Sequence, residues 1–222
     1  MKGKRSDASY GRKKRYIRPN PFFIIVCEGK ITEVDYFKSF PYYHSLGKDT
    51  SVGVRYSHKA VHIVPEAGQH VQVIEKADRI FKDLNKELGT VPKEDVWCVF
   101  DCDNDVTALR EAVELAKRKG FHAIYSIQCF ELWFVLHFQN LTSAIDKREY
   151  DIKTGKFCDI NYTHGTKGMY ELLLAHQETA ISKSKQLWTS KDETNCLYED
   201  PITNVHELVV ALNQAYSNMR NK

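Results

Sequence analysis

Phe22-Phe23-Ile24-Ile25-Val26-Cys27-Glu28-Gly29-Lys30 carries the reading of the fold. Six apolar residues in succession, rich in β-branched and aromatic side chains, suit a central parallel strand covered on both faces; a strand solvated on one face would alternate apolar with polar. Glu28-Gly29 then turns the chain. Thr32-Glu33-Val34-Asp35-Tyr36-Phe37 opens a helical pattern in which Thr32 followed by Asp35 reads as an N-cap arrangement. Working outward, residues 60–64 form a second short strand, Gly68 breaks it, and Val71, Ile74, Ala77, Ile80, Phe81 and Leu84 have the spacing of an amphipathic helix over 70–88. Residues 95–100 are a third strand that runs into Asp101-Cys102-Asp103-Asn104-Asp105, residues 106–119 read as helix, and residues 121–127 as a fourth strand. This alternation predicts an α/β fold, a mostly parallel sheet flanked by crossover helices, with ligand chemistry at the carboxyl ends of the strands.

Beyond the fourth strand the character changes. Residues 130–138 are densely aromatic and aliphatic and read as a buried helix, with strand as the alternative; residues 150–166 are polar and contain glycine, hence loop. Residues 167–188 and 204–219 read as helices. The chain thus divides into a basic flexible arm (1–20), an α/β core (21–128) and a mainly helical extension packed on that core (129–222).

With 222 residues, 42% hydrophobic and 27% charged, the composition is that of one ordinary globular folding unit. The apolar run 22–27 is too short for a membrane span or a secretory segment, which points to a cytoplasmic protein and no membrane partner. Cys27, Cys98, Cys102, Cys129, Cys158 and Cys196 form no C-x-x-C pair, so core packing is expected of them rather than zinc or disulfides. The formal charge of +3 is unevenly spread: residues 1–18 hold eight basic side chains against Asp7, leaving the rest of the chain net negative. Arg12, Lys13, Lys14, Arg15 and Arg18 suit an arm that neutralises phosphates along a nucleic acid, and equally a solubilising tail.

Asp101 and Asp103 stand just past the third strand, where side chains are no longer forced to opposite faces and both can turn to one ion. Asp105 adds a third carboxylate, and Glu28 comes from the end of another strand. Oxygen ligands without His or Cys suit Mg²⁺ or Mn²⁺ and phosphoryl chemistry. A D-x-D after a strand is also a common solvated, helix-capping turn.

The pairing of Glu28-Gly29 with an Asp101-x-Asp103 roughly seventy residues later resembles the TOPRIM domain of topoisomerases, primases and nucleases. More specifically, residues 26–37, Phe130-Glu131-Leu132-Trp133 with His137-Phe138, and Pro201-Ile202-Thr203-Asn204-Val205 resemble the motifs of RloB-like proteins. That resemblance implies a TOPRIM-like (Rossmann-like) fold, a catalytic and metal-binding site at Glu28, Asp101 and Asp103, and a nuclease acting on RNA, tRNA included, or DNA. It also implies a role in phage defence beside an ABC-type ATPase, and leaves room for a homo-oligomer. The chain departs from the pattern at Cys102, between the two aspartates, and at Ile31, where a polar residue is expected.

Three accessory residues carry more than one reading each. Glu33 either reaches the metal region or complements the start of its helix. Lys30 either meets a phosphate or stays exposed. Glu131, a charge within an apolar stretch, requires a partner: a metal, an arginine or backbone amides. His58, His62 and His137 are each explained by the pattern around them. Two other functions compete with the nuclease. A HAD-type phosphatase fits poorly, because Asp105 fills the place of a small residue and the motif follows a third strand. A non-catalytic nucleic-acid- or ATPase-binding subunit would use the acids structurally.

Overall fold

A computed structural model describes residues 22–41, 61–102, 105–194 and 196–221. Four strands, β1 (Phe23–Cys27), β2 (Val61–Val64), β3 (Val96–Cys102) and β4 (His122–Ile127), form one parallel sheet in the order β2-β1-β3-β4. Ile25 pairs with Ile63 on one side and Trp97 on the other. As its unbroken apolar run requires, β1 is buried on both faces: Phe23, Ile25 and Cys27 enter one core, Ile24 and Val26 the other.

The chain steps outward from β1 to β2, then crosses back over β1 to β3. With right-handed crossovers this reversal must send the connecting helices to opposite faces. Accordingly α1 (Thr32–Lys38) covers one face with Val34, Tyr36 and Phe37, while α2 (Val71–Leu88) and α3 (Val106–Lys119) cover the other with Val73, Ile74, Ala77, Leu109, Ala112 and Ala116. The reversal leaves a crevice at the carboxyl ends of β1 and β3, where such sheets place their ligands. The remaining helices, α4 (Glu131–Leu136), α5 (Lys147–Cys158), α6 (Met169–Leu173), α7 (Gln177–Glu193) and α8 (Val205–Arg220), add to the α1 face. Tyr36 stands at the centre of that face, its ring 5.8 Å from Phe130, 5.7 Å from Phe134 and 5.6 Å from Tyr170. This aromatic packing fixes α1 against α4. No helix among the described residues is long and apolar enough to cross a membrane.

The segment 202–204 is stitched to the outer edge of β4. Ser126 and Thr203 form an antiparallel bridge and share a hydrogen bond of 2.9 Å between their hydroxyls. The Asn204 carboxamide accepts from the Tyr125 N–H at 2.7 Å and donates to the Ala123 carbonyl at 2.9 Å, so its two ends satisfy two backbone groups of the edge strand. Pro201-Ile202-Thr203-Asn204-Val205 is thus an edge-covering motif, and its chemistry is structural.

Several boundaries differ from expectation. β3 does not end at Phe100: the ladder to β4 continues through Asp101↔Ser126 and Cys102↔Ile127, so Asp101 is a strand residue and keeps the alternation of its neighbours. Thr32 is no N-cap. Ile31 holds that position without a side-chain bond, the Thr32 hydroxyl is buried without a hydrogen-bond partner, and Asp35 instead accepts from the Gly168 N–H at 2.8 Å. Within the loop expected over 150–166 lies most of α5, capped by Asp146, whose Oδ1 accepts from the Arg148 N–H at 2.9 Å. Gly155 reads as a breaker but permits close packing: a Cβ there would lie 2.9 Å from the Ile160 carbonyl oxygen. The expected helix 167–188 is divided into α6, a 3₁₀ turn at Leu174–His176, and α7.

Candidate functional site

Two acids mark the β1–β3 crevice. Glu28 follows β1 directly, its N–H donating to the Val99 carbonyl at 2.9 Å. Its Oε2 lies 3.5 Å from the N–H of His70, at the start of α2. Asp101 follows the alternation of Trp97 and Val99 and so faces the opposite side of the sheet, where its Oδ2 accepts from the Phe130 N–H at 3.1 Å. The two carboxylates therefore flank the crevice from its two sides, close enough for Glu28 to act on Asp101 electrostatically.

Two more acids complete the Asp101 side. Glu33, on the first turn of α1, is 5% exposed, and its carboxylate folds back over Gly29. A Cβ at Gly29 would lie 2.5 Å from Glu33 Oε2, so this seat requires glycine. Glu131, the first residue of α4, is 1% exposed; its Oε1 accepts from the Tyr162 hydroxyl at 2.8 Å and meets His164 Nδ1 at 2.9 Å. The Tyr36 cluster that locks α1 to α4 thereby also sets Glu33 against Glu131.

These acids differ in their protonation. Burial pushes the Asp101 carboxyl well above the usual range, and Glu33, Glu131 and Glu28 push it further. Glu33 is raised as well, first by burial and then by Glu131. Glu131 goes the other way: burial would raise it, but the hydrogen bonds from His164 and Tyr162, with the charge of His164, outweigh that and hold it below its ordinary value. The cluster thus sets Glu131, whose ionised form is favoured, beside Asp101 and Glu33, whose ionised forms burial and mutual repulsion disfavour. Environments that push like groups apart in this way are a signature of sites built for chemistry.

Not every expected residue joins the cluster. Asp105 is the N-cap of α3, its Oδ1 accepting from the Ala108 N–H at 2.9 Å. Lys30 pairs with Glu66, both exposed. Asp103 lies outside the described residues, as do Arg12, Lys13, Lys14, Arg15 and Arg18 of the arm. Sequence reading overlooked His70, Tyr162 and His164. His70 stands in the loop after β2, where the strand-end rule would have found it. For Tyr162 and His164 the only signal was the partner that a buried Glu131 demands.

The donor set around Asp101 is all oxygen and rich in negative charge, a chemistry that fits a hard divalent cation. Among the described residues, however, no group of three or more His, Cys, Asp or Glu side chains stands ready to hold a metal ion.

Gly29→Ala is expected to unseat Glu33 while leaving the fold intact, since the obstructing atoms are the far end of a flexible side chain. Thermal unfolding should shift by no more than about 3 °C, in keeping with a loss of roughly 1 kcal/mol. A crystal structure of the variant checks whether the carboxylate has moved.

The family model described as RloB-like protein matches residues 23–212, nearly all of the described chain. No curated protein and no solved structure matches.

Proposed function

Because this chain belongs to the RloB-like family, we propose that it is a TOPRIM-type nuclease dependent on Mg²⁺ or Mn²⁺ that cleaves phosphodiester bonds in RNA or DNA. In this reading it is the effector subunit of a phage-defence system and works beside an ABC-type ATPase. The observation that carries the proposal is Asp101, a half-buried carboxylate at the topological switch point whose charged neighbours include the three acids Glu33, Glu131 and Glu28. Glu28, Asp101 and Asp103 would hold the cation. When bound, it supplies charge neutralisation, activation of water and stabilisation of the oxygen that leaves phosphorus. Within the chain, Glu28 takes the proton of the attacking water, and the Phe130 amide keeps Asp101 oriented.

Calorimetry with Mg²⁺ and Mn²⁺ on the parent and on Asp101→Asn/Asp103→Asn, run beside a cleavage assay on mixed RNA and DNA, tests this. Binding and cleavage by the parent, both lost in the variant, support the nuclease. A parent that binds no divalent ion even with nucleic acid present favours the second reading, a non-catalytic binding subunit. That alternative draws on the lack of a ready ligand set among the described residues.

Since residues beyond the arm are net negative, polyanion binding is assigned to the arm. Deleting residues 1–18 is expected to weaken nucleic-acid binding and flatten its salt dependence, the slope of log K against log salt falling by about 0.7–0.9 for each phosphate the arm no longer neutralises. Fluorescence anisotropy titrations between low and physiological salt measure it; an unchanged slope assigns the arm to solubility alone.

A further inference from the structure

His164 stands at the solvent side of the acid cluster, on a loop held in shape by its own hydrogen bonds. The Thr166 N–H and hydroxyl both donate to the Thr163 carbonyl, at 2.9 and 2.6 Å, and the Thr163 N–H donates to Thr166 Oγ1 at 3.1 Å. The loop is fastened to α1 through the bond from the Gly168 N–H to Asp35. The His164 side chain is 71% exposed, yet its Nδ1 is bound to a carboxylate only 1% exposed, whose same oxygen also accepts from Tyr162. A buried charge is costly unless its bonds are satisfied. Here that satisfied anion fixes one nitrogen of an imidazole and leaves Nε2 open to solvent, the carboxylate–histidine relation by which enzymes orient a proton-transfer group.

The charged groups facing the imidazole are Glu131 from α4, Glu33 from α1 and Asp151 from α5, all acids that favour its cationic form. Glu33 and Glu131 are also the two acids that act most strongly on Asp101. His164 therefore shares two charged neighbours, Glu33 and Glu131, with Asp101 and presents its ring to solvent beside them. A sugar alkoxide is a poor leaving group unless it is protonated as the bond breaks, and an ionised carboxylate has no proton to give.

We propose that His164 is the proton donor to the leaving oxygen of the cleaved phosphodiester, with Glu131 and Tyr162 as positioning residues. The proposal rests on the nuclease reading. A water oxygen forms the new bond to phosphorus and gives one proton to Glu28. The bond from phosphorus to the leaving oxygen breaks, its electron pair stays on that oxygen, and the proton on Nε2 of His164 passes to it. A phosphomonoester and an alcohol result, and the neutral imidazole, still bound to Glu131 through Nδ1, regains a proton from solvent.

The test compares two substrates in the full-length protein with Mg²⁺: a natural polynucleotide, and thymidine 5′-(p-nitrophenyl phosphate), whose phenolate leaves without a proton. His164→Ala should lower polynucleotide cleavage by about 10²–10⁴-fold, the range of general acid catalysis, and nitrophenyl ester cleavage by less than tenfold. Imidazole added to the buffer should restore part of the polynucleotide activity. Independently of activity, an NMR titration of the His164 ring should give a midpoint above the ordinary value of about 6.5 in the parent and a lower one in Glu131→Gln. Equal loss on both substrates, no loss on either, or a midpoint that ignores Glu131→Gln overturns the proposal while leaving the nuclease standing. A parent that cleaves neither substrate overturns both.

Discussion

Replacing Asp101 by Asn is expected to abolish cleavage and, at the same time, to make the protein more stable. Asn keeps an oxygen to accept from the Phe130 N–H, 3.1 Å away in the parent, so the geometry of the β3 end survives. What disappears is a charge that burial, Glu33, Glu131 and Glu28 all disfavour. A carboxyl raised in the folded state binds its proton more readily there than in the unfolded chain. The parent therefore loses stability as pH rises from the unfolded value, 3.8, through the raised folded one, and carries the full penalty above it. The variant has no such loss. Its advantage should be absent near pH 3 and reach about 1–2 kcal/mol, several degrees in melting temperature, once pH exceeds the folded value. Mg²⁺ should raise the melting temperature of the parent and not of the variant, because an ion that binds only the folded state stabilises it by mass action. Cleavage should fall by more than about a thousandfold. Thermal scans from pH 3 to 8, with and without Mg²⁺, decide the matter: a variant less stable than the parent at neutral pH without metal contradicts the account.

The second large effect lies far from the acids. Asn204→Ala should destabilise the protein by about 3 kcal/mol, because it strips partners from the Tyr125 N–H and the Ala123 carbonyl at the covered edge of β4. For a chain of this size that corresponds to a fall in melting temperature on the order of 10 °C. Asn204→Asp is the informative companion. It retains the acceptor for Tyr125, loses the donor to Ala123 and places a charge at a site that is 3% exposed in the parent, so it should be no more stable than the alanine variant. Chemical denaturation of the three proteins measures the difference; an alanine variant within 1 kcal/mol of the parent, a threshold set by ordinary surface substitutions, would mean that segment 202–204 does not secure the edge.

These two effects divide along what a linear chain reveals. The six apolar residues before Glu28 announce a central strand, and the crossover pattern around residues 95–127 announces a parallel sheet, since periodicity and burial are written locally. The strand-end position of Glu28 and Asp101 follows from the same pattern. The end of β3 does not: whether Asp101 lies within the ladder depends on Ser126 of another strand. The capping bond of Asp105 was equally hidden, because spacing alone cannot separate a carboxylate that caps a helix from one that does not.

From its own order of residues this protein determines four strands, the helices that cross between them, and two carboxylates delivered to one end of the sheet. Only the tertiary structure decides that Glu131 is satisfied by Tyr162 and His164, residues 31 and 33 positions away, that Glu33 closes over Gly29, and that Asp101 is left among acids. The reason is physical. Apolar periodicity acts between neighbours along the chain, whereas the charge a carboxyl keeps depends on burial and on distances through space between segments that only folding brings together.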